Sequence, residues 1–371
     1  MSVWNHGVAY RLTQPFRIEA IEREVKRERA DDVLLRPRVT TVCGSDLKLY
    51  AGARDRRALS RKLPLALLHE GVAEVVEPAA GGSARPGSRV VVVPNIPCYI
   101  AFPELYPSKA EGCVACRPGG SGENYCLHNL YLSSNTDGLA QSAFRHPASL
   151  MVPVPAEVPD RIAVLTEPFT TIVAGFERAP IRPGARYMIL GNGPLGQLTA
   201  IGLTAFHGVP RDAIYMSGPS WEQRKPVLSL IGTALDPTDK QAFASLRGEI
   251  DVVFECVGGD NNSQTLDQAV DCLRPGGTAI LFGPSEQSVA FNTREMIGKG
   301  LVFHGCNRSF VQHFVYVVDH LRDPNVQKQI ERVLSPDQFQ VRSAEDLNRA
   351  LYHAWTKRDA GKTMIGWMGP E

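Results

Sequence analysis

The pattern of apolar and polar positions changes character part-way along the chain. Up to about residue 158, short apolar segments such as 38–43, 71–76 and 89–93 are separated by glycine and proline turns. This spacing predicts a β domain built from short strands. The proline-rich tract 151–155, followed by Pro159, marks the boundary with a second domain.

Beyond that boundary, strand and helix patterns alternate. The clearest strand, 187–190, runs into a glycine turn and then into the helical stretch 195–206. Further strands are predicted at 213–216, 251–254, 278–282 and 301–304, and further helices at 263–273 and 310–321. Alternating strands and helices predict a parallel sheet. The chain then returns to shorter, mixed elements and shows no internal repeat.

Length and composition narrow the class of protein. A chain of 371 residues predicts two domains, and 43% hydrophobic with 21% charged residues is typical of globular proteins. The net charge of +1 argues against nucleic acid as a partner. No apolar stretch is long enough to span a membrane, and the N-terminal residues lack signal-peptide features. We therefore expect a cytoplasmic protein with no membrane partner.

The eight cysteines are expected to be reduced in such a protein. Four of them lie in one segment: Cys98, Cys113, Cys116 and Cys126. Cys113-x-x-Cys116 is a chelating pair, and four thiolates predict a closed, structural Zn²⁺ site that holds a long loop. The alternative is that these thiols are free or that the site is degenerate, because the spacing from Cys98 to Cys113 is long.

The glycine turn after the strand 187–190 has the spacing of a dinucleotide-binding turn. Gly191 permits the tight turn, Gly193 lets the backbone approach a pyrophosphate, and Gly196 lets the helix pack against the strand. Pro194 and Leu195 open the helix, whose N-terminus offers unpaired N–H groups to the pyrophosphate. The alternative is a glycine-rich turn that binds no ligand.

The end of the next strand bears on the choice of dinucleotide. NAD sites carry an Asp or Glu there, whereas this chain has Ser217, Gly218, Pro219 and Ser220, followed by Arg224 and Lys225. Hydroxyl groups and nearby cations favour a 2′-phosphate, so we expect NADP(H) as the cofactor. The alternative is that Arg224 and Lys225 form a solvated helix face.

Three separated residue types suggest a catalytic zinc site. Cys43 offers a thiolate, His69 an imidazole, and Glu167, at the start of the nucleotide-binding half, a carboxylate. This set leaves one position open on Zn²⁺ for an alcohol or carbonyl oxygen. Glu70 is a fourth ligand or a partner of the ligands, and Ser45 is placed to relay a proton. For each residue alone, a structural role is the alternative.

A basic segment follows Cys43 and favours a phosphorylated substrate. It contains Lys48, Arg54, Arg56, Arg57, Arg61 and Lys62, with Asp55 as the acidic exception. Arginine binds phosphate through two hydrogen bonds and lysine supplies a point charge. Arg54 and Lys62 are the first candidates for phosphate binding, with Arg308 as the third. The alternative is a loop whose charges face water.

On these motifs the chain resembles the zinc-dependent medium-chain dehydrogenases/reductases over almost its whole length. The resemblance implies an α/β fold in which a GroES-like β domain, residues 1–158 and 325–371, binds zinc. A Rossmann domain with a doubly wound parallel sheet, residues 159–324, would bind NADP(H), with the reaction in the cleft between the domains. Members of this superfamily usually form homodimers or homotetramers.

A narrower resemblance is to the ribulose-5-phosphate reductases. It rests on the segments 50–55, 63–64, 68–71, 254–259, 292–294, 308–309 and 361–363. Leu68 precedes the histidine where most of the superfamily has glycine. The resemblance implies reduction of D-ribulose 5-phosphate to D-ribitol 5-phosphate with NADPH. The alternatives are a dehydrogenase of an unphosphorylated polyol, sugar or cyclitol, and a zinc-free or non-catalytic dinucleotide-binding protein.

Overall fold

The computed structural model describes residues 6–54, 56–219, 227–259, 262–357 and 361–368, apart from the side chains of Arg56 and Ala58. The chain divides into two compact units. The first comprises Met1–Thr170, Arg308–Gln327 and Leu334–Glu371, and the second comprises Thr171–Asn307 and Lys328–Val333. In the described residues, no helix combines the length and apolar character needed to cross a membrane.

The first unit is rich in β structure. Its strands are β1 (His6–Gln14), β2 (Arg17–Glu24), β3 (Asp32–Thr41), β4 (Leu65–Ala66), β5 (Glu70–Glu77), β6 (Arg89–Val92), β7 (Asn95–Ile96), β8 (Leu130–Tyr131), β9 (Phe144–Pro147), β10 (Met151–Pro153), β17 (Leu334–Val341) and β18 (Lys362–Trp367). Its helices are α1 (Gly44–Tyr50), α2 (Arg56–Lys62), α3 (Cys98–Ala101), α4 (Asp160–Ala163), α10 (Val311–His320) and α12 (Ala344–Lys357). Two further helices, α5 (Thr166–Phe176) and α11 (Pro324–Ile330), run from one unit into the other.

The main sheet of this unit brings three strand ends together. Its order is β10-β6-β5-β3-β18-β17, with β9 also paired to β3. The antiparallel register places Thr41 at the end of β3 opposite Glu70 at the start of β5, and also opposite Met364 in β18. The residues just beyond these ends, which include Cys43 and His69, therefore lie close together although they are far apart in sequence.

The core of the first unit forms against this sheet. Helix α12 contributes Leu347, Ala350 and Leu351, whose spacing of three and four residues puts them on one buried helix face. They pack in a cluster with strand residues such as Leu35 and Ile365, both fully buried. This packing fixes β18, and with it Lys362, beside the end of β3.

The second unit contains a parallel sheet, as the sequence predicts. Its strands are β11 (Tyr187–Leu190), β12 (Ile214–Ser217), β13 (Thr233–Leu235), β14 (Ile250–Glu255), β15 (Leu273–Leu281) and β16 (Val302–Gly305). Its helices include α6 (Pro194–Ala205), α7 (Lys240–Ser245), α8 (Asn262–Cys272) and α9 (Thr293–Lys299). The order β13-β12-β11-β14-β15-β16, with every pairing parallel, is that of a doubly wound Rossmann sheet. The predicted Rossmann fold is confirmed.

The division between the units differs from the boundaries drawn on the sequence. The first unit extends to Thr170 and includes 308–327, so α4 and α10 belong to it. Asp160 of α4 explains part of this difference, because it accepts hydrogen bonds from Arg38 (2.7 Å) and Arg89 (2.7 Å) of the main sheet. Helix α10 packs against β10 of the same sheet.

Candidate active site

Cys43 is held at the N-terminus of α1, directly after β3. It occupies the N-cap position, and its backbone N–H donates to Asp46 Oδ2 (3.1 Å). Asp46 is fully buried, and its Oδ1 accepts hydrogen bonds from Ser133 Oγ (2.5 Å) and from the backbone N–H of Leu68 (3.2 Å). The carboxylate of Asp46 thus fixes the segments that carry Cys43 and His69.

The backbone before His69 adopts an unusual conformation. Leu68 has φ +72°, in the left-handed region that favours glycine, and its side chain is fully buried. A non-glycine residue in this region is strained by roughly 1–3 kcal/mol, and burial of the leucine side chain offsets that cost. This position is the one at which the sequence departs from the glycine found in most of the superfamily.

His69 is oriented by Asp46. Its Nδ1 lies 3.4 Å from Asp46 Oδ1, and the imidazole is buried. Burial acts to lower the pKa of His69, but the charges of Asp46 and Cys43 raise it well above its usual range. With Nδ1 directed at Asp46, Nε2 is the nitrogen available to a metal ion, as in other carboxylate–histidine–metal arrangements.

The ligand atoms of Cys43, His69 and Glu70 lie within 4.8 Å of one another. In a tetrahedral zinc site with bonds of 2.0–2.3 Å, the ligand atoms are about 3.3–3.8 Å apart, so three side chains clustered in this way can bind one ion by closing around it. Sulfur, imidazole nitrogen and carboxylate oxygen are all ligands that zinc accepts.

Glu70 is also the centre of a buried charge pair. Both of its carboxylate oxygens accept hydrogen bonds from Lys362 Nζ, and Oε2 accepts another from Thr41 Oγ1. Lys362 is buried, which acts to lower its pKa, but Glu70 and Cys43 hold that pKa above the usual value. A buried lysine therefore balances one of the negative charges of the candidate ligand set.

Glu167 lies in the first turn of α5 and belongs to the first unit. Its Oε1 accepts a hydrogen bond from Tyr131 Oη (3.0 Å). Burial raises the pKa of Glu167 to about 7, and the charge of Glu70 acts in the same direction while His69 opposes it. From the sequence, Glu167 is expected at the start of the nucleotide-binding half, whereas the division into compact units assigns it to the first unit. Its role as a metal ligand remains a prediction.

The other predicted catalytic and phosphate-binding residues also belong to the first unit. Ser45 is half-buried at the second position of α1, and Arg54 is half-buried between α1 and α2. Lys62 Nζ donates to Ser134 Oγ (3.0 Å). The guanidinium of Arg308 lies over the ring of Tyr131, 5.0 Å from its centroid. Arg308 has φ +62°, a strained conformation for an arginine.

The four cysteines of the long loop converge. The Sγ atoms of Cys98, Cys113, Cys116 and Cys126 lie within 4.8 Å of one another, and all four residues are buried. Burial acts to raise the pKa of the Cys113 thiol, but the backbone N–H groups of Leu127, Cys116 and Ala115 lower it to about 6. Four thiols in this arrangement suit a closed tetrahedral zinc site, and Cys98 takes part despite its long spacing.

The glycine turn of the second unit has the geometry of a dinucleotide cradle. Gly191 has φ +106°, and a Cβ atom at Gly196 would lie 1.8 Å from the carbonyl oxygen of Gly191. A Cβ atom at Gly193 would meet nothing within 4 Å. Gln197 N–H makes the helical hydrogen bond to Gly193 O (2.9 Å), so the N–H groups of Leu195 and Gly196 precede the helical ladder. Pro194 begins α6 and leaves these two donors for a phosphate.

Only some of the residues predicted to select the dinucleotide belong to the described part of the chain. Ser217 is buried at the end of β12, and its carbonyl oxygen accepts a hydrogen bond from Gly191 N–H (2.9 Å). Ser220, Arg224 and Lys225 lie outside the described residues.

Several residues of the site were not singled out from the sequence. Asp46 had a detectable signal, an acidic residue three positions after the N-cap of a helix. Lys362 is a lysine directly before an apolar strand, which is a weaker signal. No sequence signal indicates Tyr131, because its position in the site depends on the pairing of β8 with β7.

Two family models and several known proteins match the chain. Residues 29–156 match the family model "Alcohol dehydrogenase GroES-like domain" and residues 182–323 match "Zinc-binding dehydrogenase". The chain is 31% identical to ribulose-5-phosphate reductase 1 of Staphylococcus aureus, over 97% of this chain and 98% of that protein. It is 29% identical to ribulose-5-phosphate reductase of Bacillus spizizenii, over 96% and 98% of the two chains.

Solved structures show the same fold. The crystal structure of S. aureus TarJ in complex with NADPH superposes with a TM-score of 0.78 at 26% identity, covering 98% of this chain and 99% of TarJ. L-Idonate 5-dehydrogenase of Escherichia coli superposes with a TM-score of 0.79 at 20% identity, covering 97% and 98%, and shows the fold alone. The predicted combination of a GroES-like domain and a Rossmann domain is confirmed. The chain is an oxidoreductase that belongs to the zinc-type alcohol dehydrogenases, the medium-chain dehydrogenases/reductases.

Proposed function

We propose that this enzyme reduces a phosphorylated ketose, D-ribulose 5-phosphate, to the polyol phosphate, D-ribitol 5-phosphate, with NADPH. The relatives named ribulose-5-phosphate reductase and the NADPH complex of TarJ support this choice. The observation that carries the proposal is the placement of two cations, Lys62 and Arg308, on the short segment 131–134 beside the candidate metal ligands.

The candidate zinc ligands are Cys43, His69 and Glu70, with Glu167 next to them. Zinc bound there supplies Lewis-acid polarisation of the ketose carbonyl, and the reduced nicotinamide supplies the hydride. Asp46 keeps the imidazole of His69 in one orientation, and Lys362 and Thr41 do the same for the carboxylate of Glu70. Ser45, on the first turn of α1, would relay a proton from solvent to the carbonyl oxygen when the hydride arrives.

The phosphate group would be bound by cations held near these ligands. Tyr131 contacts His69, with ring centroids 5.6 Å apart, and carries Arg308 on its ring. Ser134, three residues later, accepts the hydrogen bond of Lys62, while the intervening Ser133 binds Asp46. One segment of chain thus joins both cations to the metal site. Arginine and lysine together suit a phosphate dianion better than a hydroxyl group.

The cofactor preference would follow from the neutral end of β12. Ser217 and Gly218 stand where NAD-binding turns carry an acid, so no carboxylate repels a 2′-phosphate at these two positions. The turn from Gly191 to Gly196 would bind the pyrophosphate through the N–H groups of Leu195 and Gly196.

Steady-state kinetics test the proposal directly. D-Ribulose 5-phosphate, ribulose and sorbitol (in the oxidative direction) are compared with NADPH or NADP⁺ and with NADH or NAD⁺. Charged hydrogen bonds to the phosphate are worth about 3 kcal/mol, so kcat/KM for the phosphorylated ketose should exceed that for ribulose by roughly a hundredfold. Equal values for ribulose and ribulose 5-phosphate would exclude the assigned substrate class.

The phosphate residues are tested by their effect on KM. Arg308→Ala and Arg54→Ala should each raise KM for ribulose 5-phosphate about tenfold, while KM for ribulose stays the same, since each removes one charged contact. A variant that raises both Michaelis constants equally has no specific contact with the phosphate, and its assignment would then be dropped.

We also propose that the enzyme forms a homodimer or homotetramer. Strand β16 lies at one edge of the second unit's sheet, and its Val302 is exposed. An exposed apolar edge strand favours pairing with another chain. Light scattering after size-exclusion chromatography should give a mass of two or four chains, and a monomer at micromolar concentration would contradict this.

A further inference from the structure

Asn192, inside the glycine turn, is a buried polar side chain that the proposed reaction does not use. Its exposed fraction is 2%. Its side-chain Nδ2 donates to the carbonyl oxygen of Pro219 (2.9 Å), beyond the end of β12, and its backbone carbonyl oxygen accepts from Gln197 Nε2 (3.1 Å). The side chain therefore reaches from the pyrophosphate turn to the segment where dinucleotide-binding proteins recognise the adenosine ribose.

The space taken by Asn192 is the space that a side chain at position 218 would need. A Cβ atom at Gly218 would lie 2.1 Å from Asn192 Cγ, 2.3 Å from Oδ1 and 2.5 Å from Nδ2. Contacts below 3.0 Å force one of the two groups to move, so a side chain at 218 would displace the Asn192 side chain from its present position and break its hydrogen bond to Pro219. The present arrangement of Asn192 and Pro219 is thus compatible only with glycine at 218.

Position 218 is where an NAD-selective turn would carry its acid. It follows β12 directly, and β12 is the parallel neighbour of β11, from which the glycine turn departs. An Asp or Glu at the end of this strand binds the ribose hydroxyl groups of NAD.

We propose that Asn192 is a specificity-determining residue that keeps position 218 free of an acidic side chain and thereby excludes selection for NAD(H). The inference rests on the proposed use of NADPH and adds a physical cause for it. Asn192 acts in two ways. It occupies the volume of the acid, and it holds the Pro219 carbonyl so that the neutral turn keeps its shape.

An aspartate introduced at position 218 should change cofactor affinity and melting temperature differently when Asn192 is present and when it is removed. Four proteins are compared: the wild type, N192A, G218D and the double variant N192A/G218D. Asn192→Ala removes Cγ, Oδ1 and Nδ2, the three atoms nearest to the new Cβ atom. Dissociation constants for NADPH and NADH are measured by fluorescence titration, and melting temperatures are measured without cofactor, so that neither readout depends on turnover.

G218D should lower the melting temperature and bind both cofactors weakly, because its carboxylate repels a 2′-phosphate but cannot reach the ribose while Asn192 is in place. The double variant should recover the melting temperature and bind NADH at least tenfold more tightly than G218D does. N192A alone supplies the reference for this comparison, because it measures the loss of the Pro219 hydrogen bond.

Three results would overturn the inference: equal NADH affinity in G218D and the double variant, no recovery of melting temperature, or failure of both acidic variants to fold. A G218D protein that is insoluble while the double variant folds would support it. The wild-type titration tests the proposed function separately. Preference of the wild type for NADH would refute the use of NADPH, whatever the coupling between positions 192 and 218.

Discussion

At the scale of single residues, Cys43 decides whether the site can hold a metal ion, because its thiolate is the softest of the candidate ligands. We expect Cys43→Ala to lower the zinc content by one ion per chain and to abolish turnover. NADPH affinity should change little, since the glycine turn lies in the second unit. Zinc is measured by atomic emission and NADPH binding by fluorescence titration.

Cys272→Ala is the matched control for this prediction. Cys272 is a buried free cysteine at the end of α8, in the second unit. The control should keep the full zinc content and turnover. Full zinc content in Cys43→Ala would show that Cys43 is not a metal ligand.

At the scale of secondary-structure elements, local patterns predict only part of the arrangement. The strand 187–190 matches β11 to the residue, and α6 begins one residue before the predicted helix, because both follow from local periodicity and a glycine turn. By contrast, β3 begins at Asp32, earlier than the predicted strand 38–43. Arg36, Pro37 and Arg38 interrupt the apolar pattern, and the register shifts at Pro37.

The residues of the candidate site, too, could be predicted from the sequence only in part. Motif spacing pointed to Cys43, His69 and Glu70, whose strand ends meet in the main sheet. The Lys362 to Glu70 contact joins residues 292 positions apart in sequence, and no local pattern encodes it. The interaction of Tyr131 with Glu167 likewise depends on tertiary structure.

A chain of buried amides connects the four-cysteine loop with Arg308. Arg308 donates to Asn129 Oδ1 (3.3 Å), Asn129 Nδ2 donates to Asn95 Oδ1 (2.6 Å), and Asn95 Nδ2 donates to the carbonyl oxygen of Glu123 (2.9 Å). Glu123 lies between Cys116 and Cys126, so the four-cysteine loop is linked to the orientation of Arg308, the proposed phosphate-binding residue.

Asn129→Ala should therefore raise KM for ribulose 5-phosphate about fivefold, as expected for the loss of roughly 1 kcal/mol of hydrogen bonding, with kcat unchanged. Steady-state kinetics measure both constants. Asn325→Ala, at an exposed position of α11, is the control and should leave KM unchanged. A fall in kcat without a change in KM would argue against a link through Arg308.

The pairing of β9 with β3 buries a histidine whose charge state depends on pH. His146 of β9 is buried, with Nε2 3.0 Å from the carbonyl oxygen of Val93, and burial lowers its pKa to about 4. The unfolded chain binds a proton near pH 6.5, whereas the folded protein does not. The free energy of unfolding should therefore fall by about 3 kcal/mol between pH 6.5 and pH 4 because of this residue alone.

Urea denaturation at pH 7, 6, 5 and 4 measures this dependence. His146→Gln keeps an N–H donor for Val93 but does not titrate, so its stability should fall less steeply with acidification than that of the wild type. His128→Gln, at an exposed position, should follow the wild type. Parallel curves for the wild type and His146→Gln would refute the assignment.

At the scale of the whole molecule, the candidate metal sites and the glycine turn belong to different units of the chain. Ligand binding stabilises the folded state that binds it, by about 2.7 kcal/mol at a hundred times the dissociation constant. A chain with two units need not unfold in one step, so a single melting temperature averages over them. Hydrogen exchange followed by mass spectrometry resolves the two units separately.

We expect NADPH to slow exchange in peptides covering 187–206, which include β11, the glycine turn and α6. A zinc chelator should speed exchange in peptides covering 98–126, because the four-cysteine loop has little other core than its own cluster. Cys43→Ala is the control and should keep both effects, since it alters neither the turn nor the loop. Unchanged exchange at 98–126 after complete zinc removal would show that the cysteine cluster stabilises its loop without a metal ion.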